Sequence, residues 1–232
     1  MKIGIMQPYF FPYLGYWQLV KLVDKYVIYD DVNYIKNGWI NRNNILLNGK
    51  AHLITLPLEG ASAFKPINQV NIVSDMRIKD KLLKTIEQAY KKAPFFNQVF
   101  PMIQSVVLDD SLLISKALEK QFRLIVQYLN IKTQIVVSSQ IEKDNSLKGQ
   151  EKVIDICLRL GGTEYVNAIG GQTLYSVSSF QQVGVVLHFV KTHFVPYCQF
   201  KNPFVPGLSI IDVMMFNSPE EINKMLDNYE LI

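Results

Sequence analysis

Residues 1–44 read MKIGIMQPYFFPYLGYWQLVKLVDKYVIYDDVNYIKNGWINRNN. Two short apolar runs, Lys2–Met6 and Tyr26–Tyr29, are typical of buried strands, and the segment between them, Pro12–Val23, has the apolar spacing of a helix. A strand, a helix and a second strand predict two parallel strands in one sheet. Because ligands bind outside the carboxyl ends of strands in open α/β sheets, we expect the polar loops after both strands to form a binding site.

The rest of the chain continues the alternation of strands and helices, with one interruption. Asn48-Gly49 is a preferred dipeptide of tight hairpin turns, so residues 44–56 are predicted to form an antiparallel hairpin. Residues 75–128 carry three helical patterns and almost no strand signal, and strand patterns then return from Gln134 onward. The predicted fold is α/β, a mostly parallel three-layer sheet with one antiparallel hairpin and a helical insertion.

Length and composition bound the number of domains and the class of protein. At 232 residues the chain can bury one substantial core. We divide it into an N-terminal part of the α/β domain with the hairpin (1–73), a helical insertion or subdomain (74–130) and the C-terminal part of the α/β domain (131–232). A hydrophobic fraction of 49% with 19% charged residues is globular. The net charge of +4 is spread over helical lysines, which favours a solvated surface over a nucleic-acid interface.

The cysteines and the uncharged N-terminal stretch bear on localisation. Cys157 and Cys198 lie in no paired metal-binding spacing, and one disulfide would be a thin framework for this length. Residues 3–20 carry no formal charge, but two prolines and two glutamines make them a poor membrane span, and no secretory cleavage pattern is found. We therefore expect a cytoplasmic protein with no transmembrane segment, no nucleic-acid partner and no metal ligands; the oligomeric state is left open.

The loop after the first strand carries three candidate binding residues. It has neither a Gly-x-Gly-x-x-Gly fingerprint nor a phosphate-cradling loop ending in Gly-Lys-Ser/Thr. Gln7 can orient a polar substrate group, Tyr9 offers an aromatic face, and Gly15 lies at the start of the helix, where free amides can hold a phosphate or carboxylate. The layout is similar to that of nucleotidylyltransferases but lacks their histidine turn. The alternative is an aromatic plug for the end of the sheet.

The loop after the second strand carries five more candidates. Asp30 and Asp31 end that strand, and since adjacent strand residues face opposite sides, at most one is expected to face the pocket. That carboxylate could act as a base, hold Mg²⁺ or bind a ribose; the alternative is that the pair merely caps the next turn. Lys36 and Arg42 supply positive charge for a phosphate or carboxylate, and Asn41 supplies an amide for polar groups.

Three candidates lie in the C-terminal third. His193 follows the predicted strand Val185–Val190 and can exchange a proton near neutral pH, so it joins Asp30 as a catalytic candidate. Ser209 is expected to cap a helix. Asp212 lies among apolar residues, where it needs a hydrogen-bond or charge partner. We assign Ser209 and Asp212 to a supporting role behind the residues that would contact the ligand. The alternative for Asp212 is a structural ion pair with a basic residue.

Taken together, three pieces of the sequence resemble the WbqC-like family. They are Gln7-Pro8-x-x-Phe11-Pro12-x-x-Gly15, then Asp30-Asp31-Val32 with Lys36 and Asn41-Arg42-Asn43, and finally Leu208-Ser209-Ile210-Ile211-Asp212. The similarity spans nearly the whole chain. That family is found in bacterial O-antigen gene clusters, and a glycine-transferase role has been proposed for some members. The resemblance implies surface-polysaccharide biosynthesis as the setting, while nothing in the spacing identifies glycine as the substrate.

The leading hypothesis is a transferase that moves glycine or another acyl group to a nucleotide sugar or glycan. The basic residues of the second loop would hold phosphate, the amides would orient the substrate, and Asp30 or His193 would relay a proton. The expected partners are small molecules, a nucleotide sugar and an amino acid; the cofactor is left open, with ATP or a nucleotide sugar with Mg²⁺ as candidates. Two alternatives are a carboxylate-activating adenylyl-transfer enzyme and a non-catalytic ligand-binding or assembly module.

Overall fold

A computed structural model describes all 232 residues of the chain. Its ten strands are β1 (Lys2–Met6), β2 (Lys25–Ile28), β3 (Arg42–Leu47), β4 (Lys50–Thr55), β5 (Leu58–Glu59), β6 (Asn71–Ile72), β7 (Gln134–Val137), β8 (Glu164–Ala168), β9 (Val186–Thr192) and β10 (Tyr229–Leu231). Its eight α-helices are α1 (Leu14–Leu22), α2 (Met76–Tyr90), α3 (Phe96–Val107), α4 (Ile114–Tyr128), α5 (Gly149–Arg159), α6 (Val177–Gln182), α7 (Ile210–Phe216) and α8 (Pro219–Leu226).

Six strands form the central sheet in the order β10-β9-β8-β1-β2-β7. Every neighbouring pair is parallel except β9 with β10. When the parallel strands are counted along the chain, their spatial order is 3-2-1-4-5, the doubly wound arrangement in which the strand order reverses beside the first strand. The reversal lies between β1 and β8. We call the carboxyl ends of these two strands, around Gln7 and Asn167, the switch point.

Helices cover both faces of the sheet. Successive strand residues point to opposite faces, so Tyr165 of β8 packs in the smaller core with α5 and α6, whereas the next residue, Val166, packs in the larger core with α1. The larger core also takes in residues of α2, α3, α4, α7 and α8. The three-layer architecture expected from the sequence is therefore confirmed. None of the helices has both the length and the apolarity that crossing a bilayer requires.

The hairpin and the helical insertion are present where they were predicted. Asn48 and Gly49 both have positive φ, 53° and 73°, as the tight turn between β3 and β4 requires. Helices α2, α3 and α4 follow one another with no strand between them. Gln121 of α4 is fully buried; its side-chain oxygen accepts from the amide of Phe11 at 2.8 Å, and its side-chain nitrogen donates to the carbonyl of Tyr9 at 3.0 Å. The insertion therefore supports the first loop from within the core.

Some short elements lie outside the sequence prediction. β10 adds an antiparallel edge strand of three residues, β5 pairs with β6 over two residues, and α6 is six residues long. Segments this short contain less than two periods of a helical or strand pattern, so periodicity cannot identify them. The mostly parallel sheet is confirmed, with β10 as its antiparallel member. The division at residues 73 and 130 stays a prediction.

Candidate functional site

The switch point brings together the first loop and the end of β8. Gln7 directly follows β1, is half-buried, and its carbonyl accepts from the hydroxyl of Tyr16 at 2.7 Å. Across the reversal, Asn167 donates through its side-chain nitrogen to the hydroxyl of Tyr165 at 2.6 Å and accepts from the amide of Ala168 at 2.7 Å. These bonds fix the amide of the buried Asn167 at the end of β8. In doubly wound sheets this crevice is where nucleotides bind.

Asp30 ties the carboxyl ends of β2 and β7 together. Its two carboxylate oxygens accept from the amide of Ser139 at 2.9 Å and from the hydroxyl of the same residue at 2.7 Å. Its carbonyl accepts from the amide of Asn68 at 2.9 Å. The carboxylate is buried, so the loops that follow β2 and β7 are held in a fixed relation.

Asp31 lies between two lysines that are far from it in sequence. Its Oδ2 is 2.8 Å from the ammonium of Lys143 and 3.1 Å from that of Lys152, whose side chains are only 1% and 8% exposed. Its Oδ1 accepts from the hydroxyl of Ser138 at 2.6 Å. Burial alone would raise the pKa of Asp31, but the hydrogen bonds from both lysines and Ser138 outweigh it and lower the pKa. The carboxylate is therefore held in its charged form.

The two lysines differ in how many of their donors are used. Lys143 also donates to the carbonyl of Ser138, and its third contact, to Ile141, is 3.4 Å long. Lys152 donates to the carboxylate and to the carbonyl of Asp31 at 3.1 Å each, and an ammonium has three N–H groups. Lys152 thus has one N–H group without an oxygen acceptor.

Tyr29 forms the aromatic part of the same cluster. The ammonium of Lys152 lies 5.4 Å from the centre of its ring, within cation–π range. Burial, then the charge of Asp31 and the neighbouring Tyr175 raise the pKa of Tyr29. Its hydroxyl is therefore neutral at ordinary pH and available as a hydrogen-bond donor.

Two loops project over this edge and expose apolar side chains. Asn33 bridges to Pro66, and the amide of Tyr34 donates to the carbonyl of Lys65 at 2.9 Å, so residues 32–35 run antiparallel to residues 64–67. Tyr34 is buried, whereas the next residue, Ile35, faces outward, and Phe64 on the other segment is 91% exposed. Trp39, further along the second loop, is also exposed, at 44%.

Lys36, Asn41 and Arg42 have different surroundings. Lys36 is exposed on the projecting loop. Asn41 is buried; it accepts from the hydroxyl of Tyr34 at 2.8 Å and donates to the carbonyl of Leu56 at 2.8 Å. The guanidinium of Arg42 donates to neutral carbonyls in its own loop, at 3.0 Å to that of Gly38, so its charge meets no carboxylate. Lys36 and Arg42 therefore carry positive charge that is not paired with a carboxylate, whereas the two hydrogen bonds of Asn41 stabilise the loop.

The first and second loops touch directly. The amide of Phe10 donates to the carbonyl of Trp39 at 2.9 Å, and Asn43 donates to the carbonyls of Phe10 and Phe11 at 3.0 and 2.9 Å. Phe10 and Phe11 are fully buried. The sequence predicts that the two loops form one binding site, with Gln7 facing the segment around Asn41 and Arg42; over residues 10–11 and 39–43 the two loops are packed together.

Tyr9 and Gly15 pack against neighbouring elements. The ring of the half-buried Tyr9 lies 5.4 Å from that of Tyr16. A side chain at Gly15 would place a Cβ 2.0 Å from the hydroxyl oxygen of Thr192, at the end of β9. The visible reason for glycine here is the close approach of α1 to β9, and an anion-binding role for its amide stays a prediction.

The remaining predicted residues lie elsewhere. His193 follows β9, three strand positions from Asp30, or roughly 14 Å at about 4.8 Å per strand. It is half exposed and 3.8 Å from Glu230 of β10. The structure does not bring the two catalytic candidates together, and their roles stay predictions.

Ser209 and Asp212 belong to the C-terminal core. Ser209 caps α7 as expected, accepting from the amide of Ile211 at 3.2 Å and donating to the carbonyl of Phe11 at 2.7 Å. Asp212 is fully buried but has no basic partner, unlike the ion pair considered from the sequence. Tyr90, Tyr197 and Gln199 donate to it instead. Burial raises its pKa, although all three donors oppose this.

Sequence reasoning missed three candidate residues of this edge: Tyr29, Lys143 and Lys152. Asn167 is recognisable from the sequence as a polar residue at a strand end, although it is not among the predicted binding residues. Tyr29 lies at a strand end too, a signal that could have found it. Lys152 occupies an inward position among the apolar residues of α5, and a lysine on the buried side of a helix pattern calls for an acidic partner. No group of three or more His, Cys, Asp or Glu side chains is arranged to hold a metal ion.

Comparisons with known proteins give one family and one distant relative. The sequence model of a family described as the WbqC-like protein family matches residues 7–224. The chain is 25% identical over 218 residues to a protein of Mycobacterium tuberculosis (strain ATCC 25618 / H37Rv), named "Uncharacterized protein Rv1507c", and the match covers 93% of each chain. No solved structure matches significantly.

Proposed function

We propose a function from the premise that the chain belongs to the WbqC-like protein family. The protein is a transferase that binds an anionic, nucleotide-linked sugar at the switch point and adds glycine or another acyl group to it, or to a glycan made from it. The family resemblance supports bacterial surface-polysaccharide (O-antigen) biosynthesis as the setting. The basic side chains at the carboxyl edge of the sheet support an anionic substrate bound at that edge.

The surplus of basic groups at the carboxyl edge carries the proposal. Among the residues described above, four basic side chains lie at this edge, and two carboxylates oppose them. The basic ones are Lys36, Arg42, Lys143 and Lys152, and the acidic ones are Asp30 and Asp31. Only Lys143 and Lys152 are paired with a carboxylate, so positive charge remains for a ligand. Phosphate groups are the usual anions at this place in doubly wound folds.

The groups around the surplus charge fit the other parts of a nucleotide sugar. Gln7 and Asn167 supply amides on the two sides of the switch point, and amides suit sugar hydroxyls and base edges. Trp39 and Phe64 supply exposed aromatic faces on which a base or sugar ring can stack. The site thus offers charge, amides and stacking surfaces on one edge.

Acyl transfer at this edge needs an attacking group and a proton acceptor. The amine or hydroxyl of the acceptor attacks the acyl carbonyl carbon of an activated donor, the new bond forms, the bond to the donor's leaving group breaks, and one proton is released. Asp30 is the predicted proton acceptor on this edge. Each of its oxygens accepts from Ser139 and keeps a further lone pair.

The strand order also favours a second candidate. A 3-2-1-4-5 sheet with its ligand crevice beside the first strand suits ATP as well as a nucleotide sugar. The protein would then activate the carboxylate of an amino acid by adenylyl transfer, with pyrophosphate leaving. Amino-acid-dependent exchange of labelled pyrophosphate into ATP tests this version, and no exchange with any amino acid removes it.

Calorimetric titration with UDP-glucose, ATP and glycine tests the leading proposal. Lys152→Met removes the ammonium that keeps a free donor, and we expect it to weaken binding of UDP-glucose at least about tenfold. Lys84→Met, at an exposed position on α2, is the matched control and should not change binding. Equal affinities for all three proteins, or no binding by the unmodified protein, would overturn the proposal.

Turnover separates the enzyme from the non-catalytic module. Asp30→Asn should keep ligand binding and abolish any measured acyl transfer, because the amide cannot accept the released proton. Retained transfer in this variant would remove Asp30 from the mechanism. Ligand binding with no transfer by the unmodified protein, across acyl donors and glycan acceptors, would favour the binding or assembly module.

A further inference from the structure

One cavity of the structure shares no residue with the switch point. It lies between the β3–β4 turn, the end of α2 and residues 200–202, and has a volume of about 860 Å³. This is within the range of sites that hold small organic ligands. Three of its lining residues are Lys91, Lys92 and Lys201. We call this cavity the lysine groove.

The buried carboxylate of Asp212 connects the walls of the lysine groove through hydrogen bonds. Oδ1 of Asp212 accepts from the hydroxyl of Tyr90, at the end of α2, at 2.7 Å, and that hydroxyl accepts from the amide of Leu46, in β3, at 2.8 Å. Oδ2 of Asp212 accepts from Gln199 and from Tyr197, each at 2.6 Å. One network therefore joins the hairpin, the helix end and the segment that leads into residues 200–202.

The charge of the lysine groove is of one sign. Its lining contains no Asp or Glu, and none of its three lysines has a carboxylate within 4.0 Å anywhere in the structure. Like charges gathered around one cavity repel each other, and a bound anion relieves that repulsion. The three lysines are exposed, and the fixed walls hold their backbone positions around the cavity.

The neutral part of the lining adds amides and one aromatic ring. Gln88 and Asn202 contribute side-chain amides. Phe200 has φ 55°, a left-handed conformation that a bulky residue rarely adopts, and its ring packs edge-on to Phe216 at 4.7 Å. Such strained residues persist where the surrounding structure holds them, and they cluster at ligand sites. The contact with Phe216 holds this aromatic side chain in the wall of the groove.

We propose that the lysine groove binds a carbohydrate that carries negatively charged groups. The lysines would hold its phosphate or carboxylate groups, the amides would bond its hydroxyls, and Phe200 would pack against the apolar face of a sugar ring. The site is separate from the switch point and does not depend on the function proposed there.

Calorimetric titration with glucose 6-phosphate, glucuronic acid and glucose tests the proposal. The test variant replaces Lys91, Lys92 and Lys201 with Gln; the control replaces Lys81, Lys84 and Lys132, three exposed lysines outside the groove, with Gln. Both variants lose the same charge. We expect one or both acidic sugars to bind, glucose not to bind, and the groove variant to lose at least about tenfold in affinity while the control keeps it. The better acidic ligand identifies whether phosphate or carboxylate is recognised.

Three results would overturn the proposal: no binding of either acidic sugar, equal binding of glucose, or equal losses in the groove and control variants. Lys152→Met supplies the cross-check, because it should leave acidic-sugar binding at the groove intact. An amide NMR shift at Gly49, whose turn contacts Asn202, should accompany binding. A failure at the groove is thus distinguishable from a failure at the switch point.

Discussion

The carboxylate of Asp31 and the ammonium of Lys152 lie 3.1 Å apart, although 121 residues of sequence separate them. The contact joins the loop after β2 to α5 on one face of the sheet. Lys143 approaches the same carboxylate oxygen at 2.8 Å. One acid therefore holds two buried lysines at the edge where the ligand is proposed to bind, and this arrangement has consequences for stability.

Asp31→Asn should lower the free energy of unfolding by about 3–5 kcal/mol, because it leaves two buried ammonium groups without their carboxylate. Denaturation in urea, followed by circular dichroism, measures the change. Lys152→Met is the matched comparison, since Lys143 still neutralises Asp31, and its loss should be smaller. A larger loss for Lys152→Met than for Asp31→Asn would contradict the assigned pairing.

The contribution of Asp31 to stability should depend on pH in the acid range. Its folded-state pKa is lowered by Lys143, Ser138 and Lys152, so the folded protein binds this proton less tightly than the unfolded chain. The stabilisation is fully present above the unfolded value, about pH 4, and is lost as the pH falls through the folded value. The stability gap between the unmodified protein and Asp31→Asn should therefore narrow from pH 6 to pH 3. A constant gap over that range would refute the pKa assignment.

Gly15→Ala should destabilise the fold by about 1–3 kcal/mol, because the new Cβ would lie 2.0 Å from the hydroxyl oxygen of Thr192. Thermal unfolding detects the change. Gly170→Ala is the matched control: a Cβ there has open space and the backbone is not left-handed, so stability should be nearly unchanged. Similar melting temperatures for both variants would mean that α1 and β9 do not approach as closely as described.

Gln121→Leu should lower the stability of the protein and loosen the first loop, because it removes two hydrogen bonds that hold this loop. The amide of Phe11 and the carbonyl of Tyr9 would lose their partner, and each unsatisfied buried group costs about 1–3 kcal/mol. We also expect weaker binding at the switch point, since Gln7 lies at the start of this loop. The same replacement at an exposed position of this helix, Gln127→Leu, serves as the control. A loss of stability in Gln127→Leu as large as that in Gln121→Leu would refute the special role of the buried amide.

The parts of the fold that follow from local sequence were predictable. The Asn48-Gly49 turn needs two residues that tolerate positive φ, and both are adjacent in the chain. The cap at Ser209 likewise depends on a bond to a residue two positions away. The placement of β7 beside β2 and of β8 beside β1 is different, because it is set by packing between segments more than a hundred residues apart.

The candidate site was predictable to a smaller degree for the same reason. Sequence pattern identifies Asp30 and Asp31 as residues at a strand end, but not Lys143 and Lys152, which approach through α5 and the loop before it. It also indicates that Asp212 needs a partner without showing that hydroxyl and amide donors, rather than a basic residue, supply it. Burial can be inferred from apolar neighbours, whereas the identity of a distant partner cannot.

A crystal structure of the protein co-crystallised with UDP-glucose tests most directly the central claim, that a nucleotide sugar binds at the switch point. We predict diphosphate density at the switch point, beside Gln7 and within hydrogen-bond distance of Lys152, with the rest of the ligand toward the projecting loops around Trp39. Density for the nucleotide only at another surface, with the carboxyl edge of the sheet unoccupied at full ligand occupancy, would contradict the account.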